Sequence, residues 1–325
     1  MSLTIGITEH LRIEFGSKGI SKALCRECPD IGRFDSSRKT VNTSVLRRFA
    51  KMLVSDVPII GDAAAFVYRT GVAARVIGKR VSEVVRWLGT SNETTNLTYE
   101  LDALNLRYLA CFVANLTGVD DGTVTNYIAE LHKDKKLRTH IHDLSIYKAR
   151  RRRADPEARY GRRAGWYAII RALKPRIVVE TGVDKGLGSC VIAAALLRNA
   201  GEGQRGHYYG TDIKPDAGYL LAGPYATAGE ILFGDSIESL RRLPSTVDLF
   251  INDSDHSPDY EAAEYEAIRE KLSDRAVVLG DNAHVTDKLL KFAISTGRRF
   301  DFFQERPHAH WYPGGGIGAA YRPRE

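Results

Sequence analysis

The chain has 325 residues with 47 lysines and arginines against 40 acids, a formal net charge of +7. Its hydrophobic share of 43% and charged share of 27% are those of a globular protein with a sizeable core, and the length suits two domains. No apolar run reaches the length of a bilayer span, and the start, MSLTIGITEHLRIEF, lacks a basic-then-apolar signal pattern, so a cytoplasmic protein is expected.

The first forty residues are irregular. They contain Cys25 and Cys28, a CxxC with no second pair of ligands at matching spacing nearby, which argues against zinc. Cys111 and Cys190 lie in apolar stretches and read as buried thiols. From Asn42 to about His132 the pattern is helical. VLRRFAKMLV, AAAFVYRTGVAARVIGKRVSEVVRWLG and LTYELDALNLRYLACFVANLTG each repeat apolar residues at three and four. Thr90 to Glu93 and Asn96 offer N-caps for the third, and Gly118 is its stop signal. DDGTVTNYIAELHKDK opens a further helix. We expect residues 1–145 to form a helical region that serves as lid or dimerisation surface.

A basic run follows: Lys148 and Arg150 to Arg153, then Arg159, Arg162 and Arg163. Such a run can bind phosphate backbones, but it lacks interleaved aromatics, and a solvated helix or linker over 146–165 is the expected reading. A nucleic-acid partner is therefore not expected. RNA methylation through this run stays open as an alternative.

From residue 166 the texture becomes strand, helix, strand. RIVVETG, HYYGTDI, EILFGD, VDLFIND, AVVLGDN, FDFFQERP and GIGAAYRP are short apolar runs. Helical patterns separate several of them, such as LGSCVIAAALLRNAG and DYEAAEYEAIREKL. This alternation predicts an α/β fold: a Rossmann-like, doubly wound, mostly parallel sheet of seven strands. PGGG before the last strand is too short for a parallel crossover and reads as a hairpin turn, so that strand should run antiparallel.

Five of these strands end in or near an acid: Glu180, Asp212, Asp235, Asp253 and Asp281. In an open parallel sheet ligands bind beyond the carboxyl ends of the strands, so these acids should share one rim. ETGVDKGLGS after the first strand has Gly182 and Gly186 for a tight turn and a helix start beyond, but it is neither GxGxxG nor a phosphate loop. An acid before the glycine opposes a pyrophosphate and suits an ammonium group, and Asp212 is placed to accept from ribose hydroxyls. A ligand with a ribose, a positive tail and no phosphate fits S-adenosylmethionine.

With those residues in view, Arg176 to Arg322 resembles a class I S-adenosylmethionine-dependent methyltransferase. It is most similar to the metal-dependent O-methyltransferases of the catechol, caffeoyl-CoA and macrocin types. Their ExGxxxG motif is matched by Glu180, Gly182 and Gly186, with Ser189 on the helix that follows. Their acid after the second strand is matched by Asp212, and their turn against the adenine by Asp235 and Ser236. The resemblance implies a divalent cation, Mg²⁺, on Asp253, Asp281 and Asn282, with Asp255 as alternative to Asp253. It implies a general base three positions after the first ligand, where His256 stands in place of the usual Lys. His284, His308, His310 and Trp311 are candidates for the acceptor pocket. The expected activity is O-methylation of a sugar or secondary metabolite by a homo-oligomer, with metal-independent N- or C-methylation as the alternative.

Overall fold

The structure is a computed structural model that describes residues 58–94, 97–147, 154–243 and 246–323. The pair Cys25 and Cys28, the helical pattern at 45–54 and the basic residues 148–153 lie outside them. The chain divides into two compact units, 1–71 and 72–325. The described part of the first is the opening of helix α1 (Pro58–Thr90), where Phe66, Val67 and Tyr68 are exposed. Everything below concerns the second unit.

There α1 continues to Thr90 with Val72, Val76, Ile77, Val81, Val85 and Leu88 exposed. Helix α2 (Ala103–Thr117) starts later than its apolar period suggests. Leu97 to Leu101 lie outside any helix, Leu101 bridges Pro307, and Asp102 is the N-cap, accepting from the Asn105 amide at 2.8 Å. Gly118 ends the helix in the left-handed conformation, φ 73°, as expected. Cys111 corrects the reading of a buried thiol: it sits on the exposed side of α2, whereas Cys190 is buried. Helices α3 (Asp121–Lys133) and α4 (Lys135–Ser145) follow, capped by Asp120 and Asp134.

Helix α5 (Arg163–Leu173) begins at the end of the stretch expected to be a solvated linker or helix, with Arg162 as its N-cap residue. Arg162 and Arg163 are buried. The helix packs closely on α2, because a Cβ on Gly165 would stand 2.8 Å from Leu109.

Seven strands form one sheet in the order β3-β2-β1-β4-β5-β7-β6. They are β1 (Ile177–Thr181), β2 (His207–Asp212), β3 (Gly229–Phe233), β4 (Val247–Asn252), β5 (Leu272–Asp281), β6 (Arg299–Gln304) and β7 (Gly316–Tyr321). The first five are parallel, and β7 runs antiparallel between β5 and β6. The link from β6 to β7 is the whole loop 305–315, longer than the turn read from PGGG. Helices α6 (Leu187–Gly201), α7 (Ser236–Arg242), α8 (Pro258–Ile268) and α9 (Lys288–Ser295) complete the wind.

Alternate residues face opposite layers, as the period of a strand requires. Val178, Leu249, Ile251, Val277 and Leu279 share a core with α2, α3, α5 and α6. Val179, Phe250 and Val278 share another with Leu240, Tyr265, Ile268, Leu289 and Phe292. The N-terminal helices from α2 onward therefore belong to the same core as one face of the sheet. No helix among the described residues is long and apolar enough to cross a membrane.

Candidate active site

Register aligns the strand ends. Thr181 pairs with Thr211 on one side and Asn252 on the other, and Asn252 pairs with Gly280. The residues immediately after each pair, Gly182, Asp212, Asp253 and Asp281, thus emerge side by side at the carboxyl edge. They line a cavity of about 580 Å³ together with Asp184, Asp235, Ser236, Asp255, His256, Tyr260, Asn282 and Arg162.

The β1–α6 loop is shaped by its glycines. Gly182 has φ 79°, and a Cβ there would collide with the carbonyl of Asp253. The loop and the β4 end can approach only because that atom is missing. Gly186, φ 90°, caps α6. Across the loop, Asp212 accepts from the amides of Asp184 and Lys214, both at 2.8 Å. Those two bonds leave further lone pairs on the carboxylate.

Glu180 and Ser189 lie beneath this loop, not on the cavity. Glu180 is 1% exposed and accepts from Ser189 Oγ and the Tyr208 hydroxyl. Burial pushes its carboxyl up to about 7. Four of the five strand-end acids line the cavity; Glu180 instead ties β1 to β2 and α6.

Beyond β3, Asp235 caps α7 by accepting from the Glu238 amide at 3.0 Å, and its other oxygen accepts from Tyr260 at 3.0 Å. Ser236 Oγ lies 2.8 Å from the same Tyr260 hydroxyl. Beneath them is a residue that sequence reasoning passed over as part of a charged helix face. Glu264 is fully buried and accepts from Ser254 at 2.7 Å and Thr181 at 3.2 Å, and also from Ser236 and Asn252. It joins the ends of β1 and β4 to the start of α7. The available signal was its spacing: Glu261, Glu264, Tyr265 and Ile268 follow the period of one helix face, and all four are buried.

At the β4 and β5 ends, Asp253, His256 and Asp281 each offer an atom within 4.8 Å of the others. Asp255 is outside that group, and its Oδ1 accepts from the Ser257 amide at 2.8 Å. Asn282 Nδ2 lies 3.2 Å from His256 Nε2 and donates to Asp281 Oδ2 at 3.0 Å. An amide donor leaves Nε2 as the acceptor nitrogen of the ring.

The basic run supplies what the sequence did not suggest. Arg162 reaches into the cavity and holds Asp281 from two nitrogens, Nε on Oδ1 and Nη2 on Oδ2. Its backbone amide donates to Glu305 Oε1 at 3.0 Å, and Nη1 lies 3.6 Å from Glu305 Oε2. Glu305 also accepts from the Tyr99 hydroxyl at 3.0 Å. Both Arg162 Nη2 and Arg163 Nη2 stand 4.0 Å from Asp253. Burial works against the Arg162 charge, but Asp281, Glu305 and Asp253 outweigh it and hold the guanidinium protonated. Burial and the neighbouring Asp281 push Asp253 well above the usual carboxylate range. For Asp281 burial acts upward too, but Arg162 and the hydrogen bond with Asp253 keep it below that range.

The distances among Asp253, His256 and Asp281 would admit a cation. A hard ion needs free carboxylate lone pairs. Arg162 Nη2 and Asn282 Nδ2 already donate to Asp281 Oδ2, while Arg162 Nε faces Oδ1 as an ion pair without a hydrogen bond.

The expected acceptor residues separate. His284 is exposed and is not part of the cavity lining. His308 and His310 line a second cavity of about 290 Å³ with Glu83, Arg86, Trp87 and Tyr99. Trp311 packs edge-on against Trp87, ring centroids 5.4 Å apart. Tyr99 of this second cavity is linked to Arg162 of the first by hydrogen bonds through buried Glu305.

Comparison with known proteins fits this arrangement. Residues 179–283 match the family model of a methyltransferase domain. No curated protein matches the chain. Among similar solved structures is fibrillarin of Aeropyrum pernix with natively bound S-adenosylmethionine, 18% identical with a TM-score of 0.36 over 45% of this chain and 66% of that one. A methyltransferase of Geobacter sulfurreducens is 18% identical, TM-score 0.41, over 60% of this chain and 94% of that one. The O-methyltransferase TomG of Streptomyces achromogenes, in complex with S-adenosylmethionine, is 17% identical, TM-score 0.43, over 59% and 91%. These are partial likenesses of fold. Residues 179–283, which in this sheet order run from β1 to just past β5, are thus the part of the chain that is similar to a methyltransferase domain.

Proposed function

We propose that the chain moves the methyl group of S-adenosylmethionine to a hydroxyl of a small molecule, a sugar or a secondary metabolite. One observation carries the reading: a single cavity joins a nucleoside-type end to an acid–base end. Strand order sets its length, from Asp235 after β3, through Asp212 after β2 and Gly182 after β1, to His256 and Asp281 after β4 and β5.

At the first end, Asp212 accepts from the ribose hydroxyls with the lone pairs left by its two backbone bonds. Asp235, Ser236 and Tyr260 supply polar groups toward the base. The tight turn at Gly182 and Gly186 lets backbone amides approach the amino-acid tail. At the other end an acceptor hydroxyl takes the place of the Asn282 amide on His256 Nε2. The S–CH₃ bond breaks with its electron pair kept by sulfur, an O–CH₃ bond forms, and the hydroxyl proton goes to the imidazole. The cofactor supplies the methyl group; the protein supplies alignment, a proton acceptor and exclusion of water.

The test is release of S-adenosylhomocysteine from S-adenosylmethionine over a panel of polyhydroxylated sugars, phenols and their amine counterparts. Hydroxyl acceptors should turn over. His256→Asn should lower kcat on them by about 10²- to 10⁴-fold, the usual contribution of a positioned acid–base group. Turnover of amines with inert hydroxyl counterparts would contradict the reading.

A further inference from the structure

We propose that Arg162 takes the position that a divalent cation holds in the metal-dependent O-methyltransferases this chain resembles. The acceptor oxygen is then met by a guanidinium of the chain itself, and the site carries no resident metal. The inference rests on the methyl-transfer reading above and narrows it.

Three observations support it. First, the only group of acids and histidines close enough to share an ion, among the described residues, is Asp253, His256 and Asp281. Arg162 lies on one of those carboxylates from two nitrogens and 4.0 Å from the other. Nη2 takes a lone pair of Oδ2 and the Nε side of the same cation faces Oδ1, so the guanidinium occupies the side of Asp281 that a metal would need. Second, Arg162 is fixed at its root as well as its tip. Its backbone amide donates to buried Glu305, which Tyr99 holds from the other side, and its side chain is 7% exposed. The preceding Gly161 is left-handed, φ 49°, with the Tyr99 carbonyl 3.1 Å from where a Cβ would be. The arginine is therefore built into the junction of α5 with the rest of the fold. Third, two guanidiniums already offset all but one of the negative charges that the three acids can carry. Asp253, Asp281 and Glu305 face Arg162 and Arg163. A divalent ion would enter beside two guanidiniums, at a cost in repulsion.

The guanidinium has five N–H donors. Nε and one N–H of Nη2 meet Asp281, while Nη1 leans toward Glu305. The remaining Nη2 hydrogen faces the gap of 4.0 Å to Asp253, which is part of the cavity wall. A hydroxyl oxygen beside Nη2, on the cavity side of that gap, accepts from Arg162 and gives its proton to His256. As the O–CH₃ bond forms, Arg162 stabilises the oxygen's partial negative charge while keeping its own proton. Arg162 is thus an acceptor-binding residue.

The experiment uses protein dialysed against EDTA and titrated with Mn²⁺, followed by the electron paramagnetic resonance of the free ion. Wild type should show no saturable uptake at this site. Arg162→Ala frees Asp281 and should bind Mn²⁺ at least about tenfold more tightly, since removing a cation from beside two carboxylates favours another. That gain should vanish in the Arg162→Ala, Asp281→Asn double variant. Uptake of one Mn²⁺ per chain by wild type, abolished by Asp281→Asn, would overturn the proposal. The wild-type titration decides it even if Arg162→Ala does not fold. S-adenosylmethionine binding measured on the same metal-free samples separates the two readings. Its loss would sink the methyltransferase function, whereas Mn²⁺ uptake with cofactor binding intact would sink only the role of Arg162.

Discussion

Burial decides what each acid of this site does. Asp212 keeps lone pairs toward the cavity, while Glu180, only two residues before Gly182, is sealed beneath it with Tyr208 and Ser189. The carboxyl of Glu180 is raised from 4.5 to about 7, so the folded protein holds this proton more tightly than the unfolded chain does. That contribution is fully present below the unfolded pKa, 4.5, and is lost as the pH rises through about 7. At 1.36 kcal/mol per unit the amplitude is about 3 kcal/mol. Wild-type stability relative to Glu180→Gln, which cannot titrate, should therefore fall between about pH 4.5 and pH 7 by up to that amount. Denaturant unfolding of both proteins across the range measures it; parallel pH profiles would show that Glu180 is not the group responsible. The sequence placed Glu180, Asp212, Asp253 and Asp281 at strand ends but could not say which face solvent. That depends on Tyr208 and Ser189, which arrive from another strand and a helix. Arg162 was less legible still. In a run of basic residues nothing marks Arg162, whose partner Asp281 lies more than a hundred positions away.

At the scale of elements, local chemistry was read well and closure was not. The stop at Gly118, the turn at Gly182 and the apolar strands all follow from residue type. The start of α2 did not, because Leu97 to Leu101 keep the helical period yet lie outside the helix, with Leu101 bridged to Pro307. Periodicity announces a helix without saying what covers it, and α1 is the example, with its apolar row exposed from Val72 to Leu88. The β1–α6 loop gives the sharpest prediction. Gly182→Ala places a methyl group on a left-handed backbone and drives it into the Asp253 carbonyl. The β1 and β4 ends must then separate. We expect a loss of about 1–3 kcal/mol in unfolding free energy, the cost of strain at such a position, together with loss of S-adenosylmethionine binding. Calorimetry and denaturation of the variant measure both; unchanged affinity would mean that this turn does not shape the cofactor site.

Taken as a whole, the molecule shows why the sheet was legible and the acceptor side was not. Continuous apolar runs and the spacing of their connections prescribe five parallel strands with an antiparallel close, and the order β3-β2-β1-β4-β5-β7-β6 has that form. The crossover rules leave few alternatives once the strands are known. The helices from α2 to α5 carry no such rule. They enter the same core as the sheet and deliver Tyr99 and Arg162 to the strand ends. Asp253, His256, Asp281 and Asn282 do come together as their motif spacing suggested. What stands across from them belongs to tertiary packing. Proposing a methyl-transfer cavity that runs from Asp235 to Asp281 makes its most exposed claim at Asp212. Calorimetric titration of S-adenosylmethionine into wild type and Asp212→Ala therefore tests the account most directly. We predict saturable binding of one cofactor per chain by wild type and a loss of affinity of at least about tenfold in the variant, the scale of two hydrogen bonds to a charged group. No binding by folded wild type, or equal binding by both proteins, would contradict it.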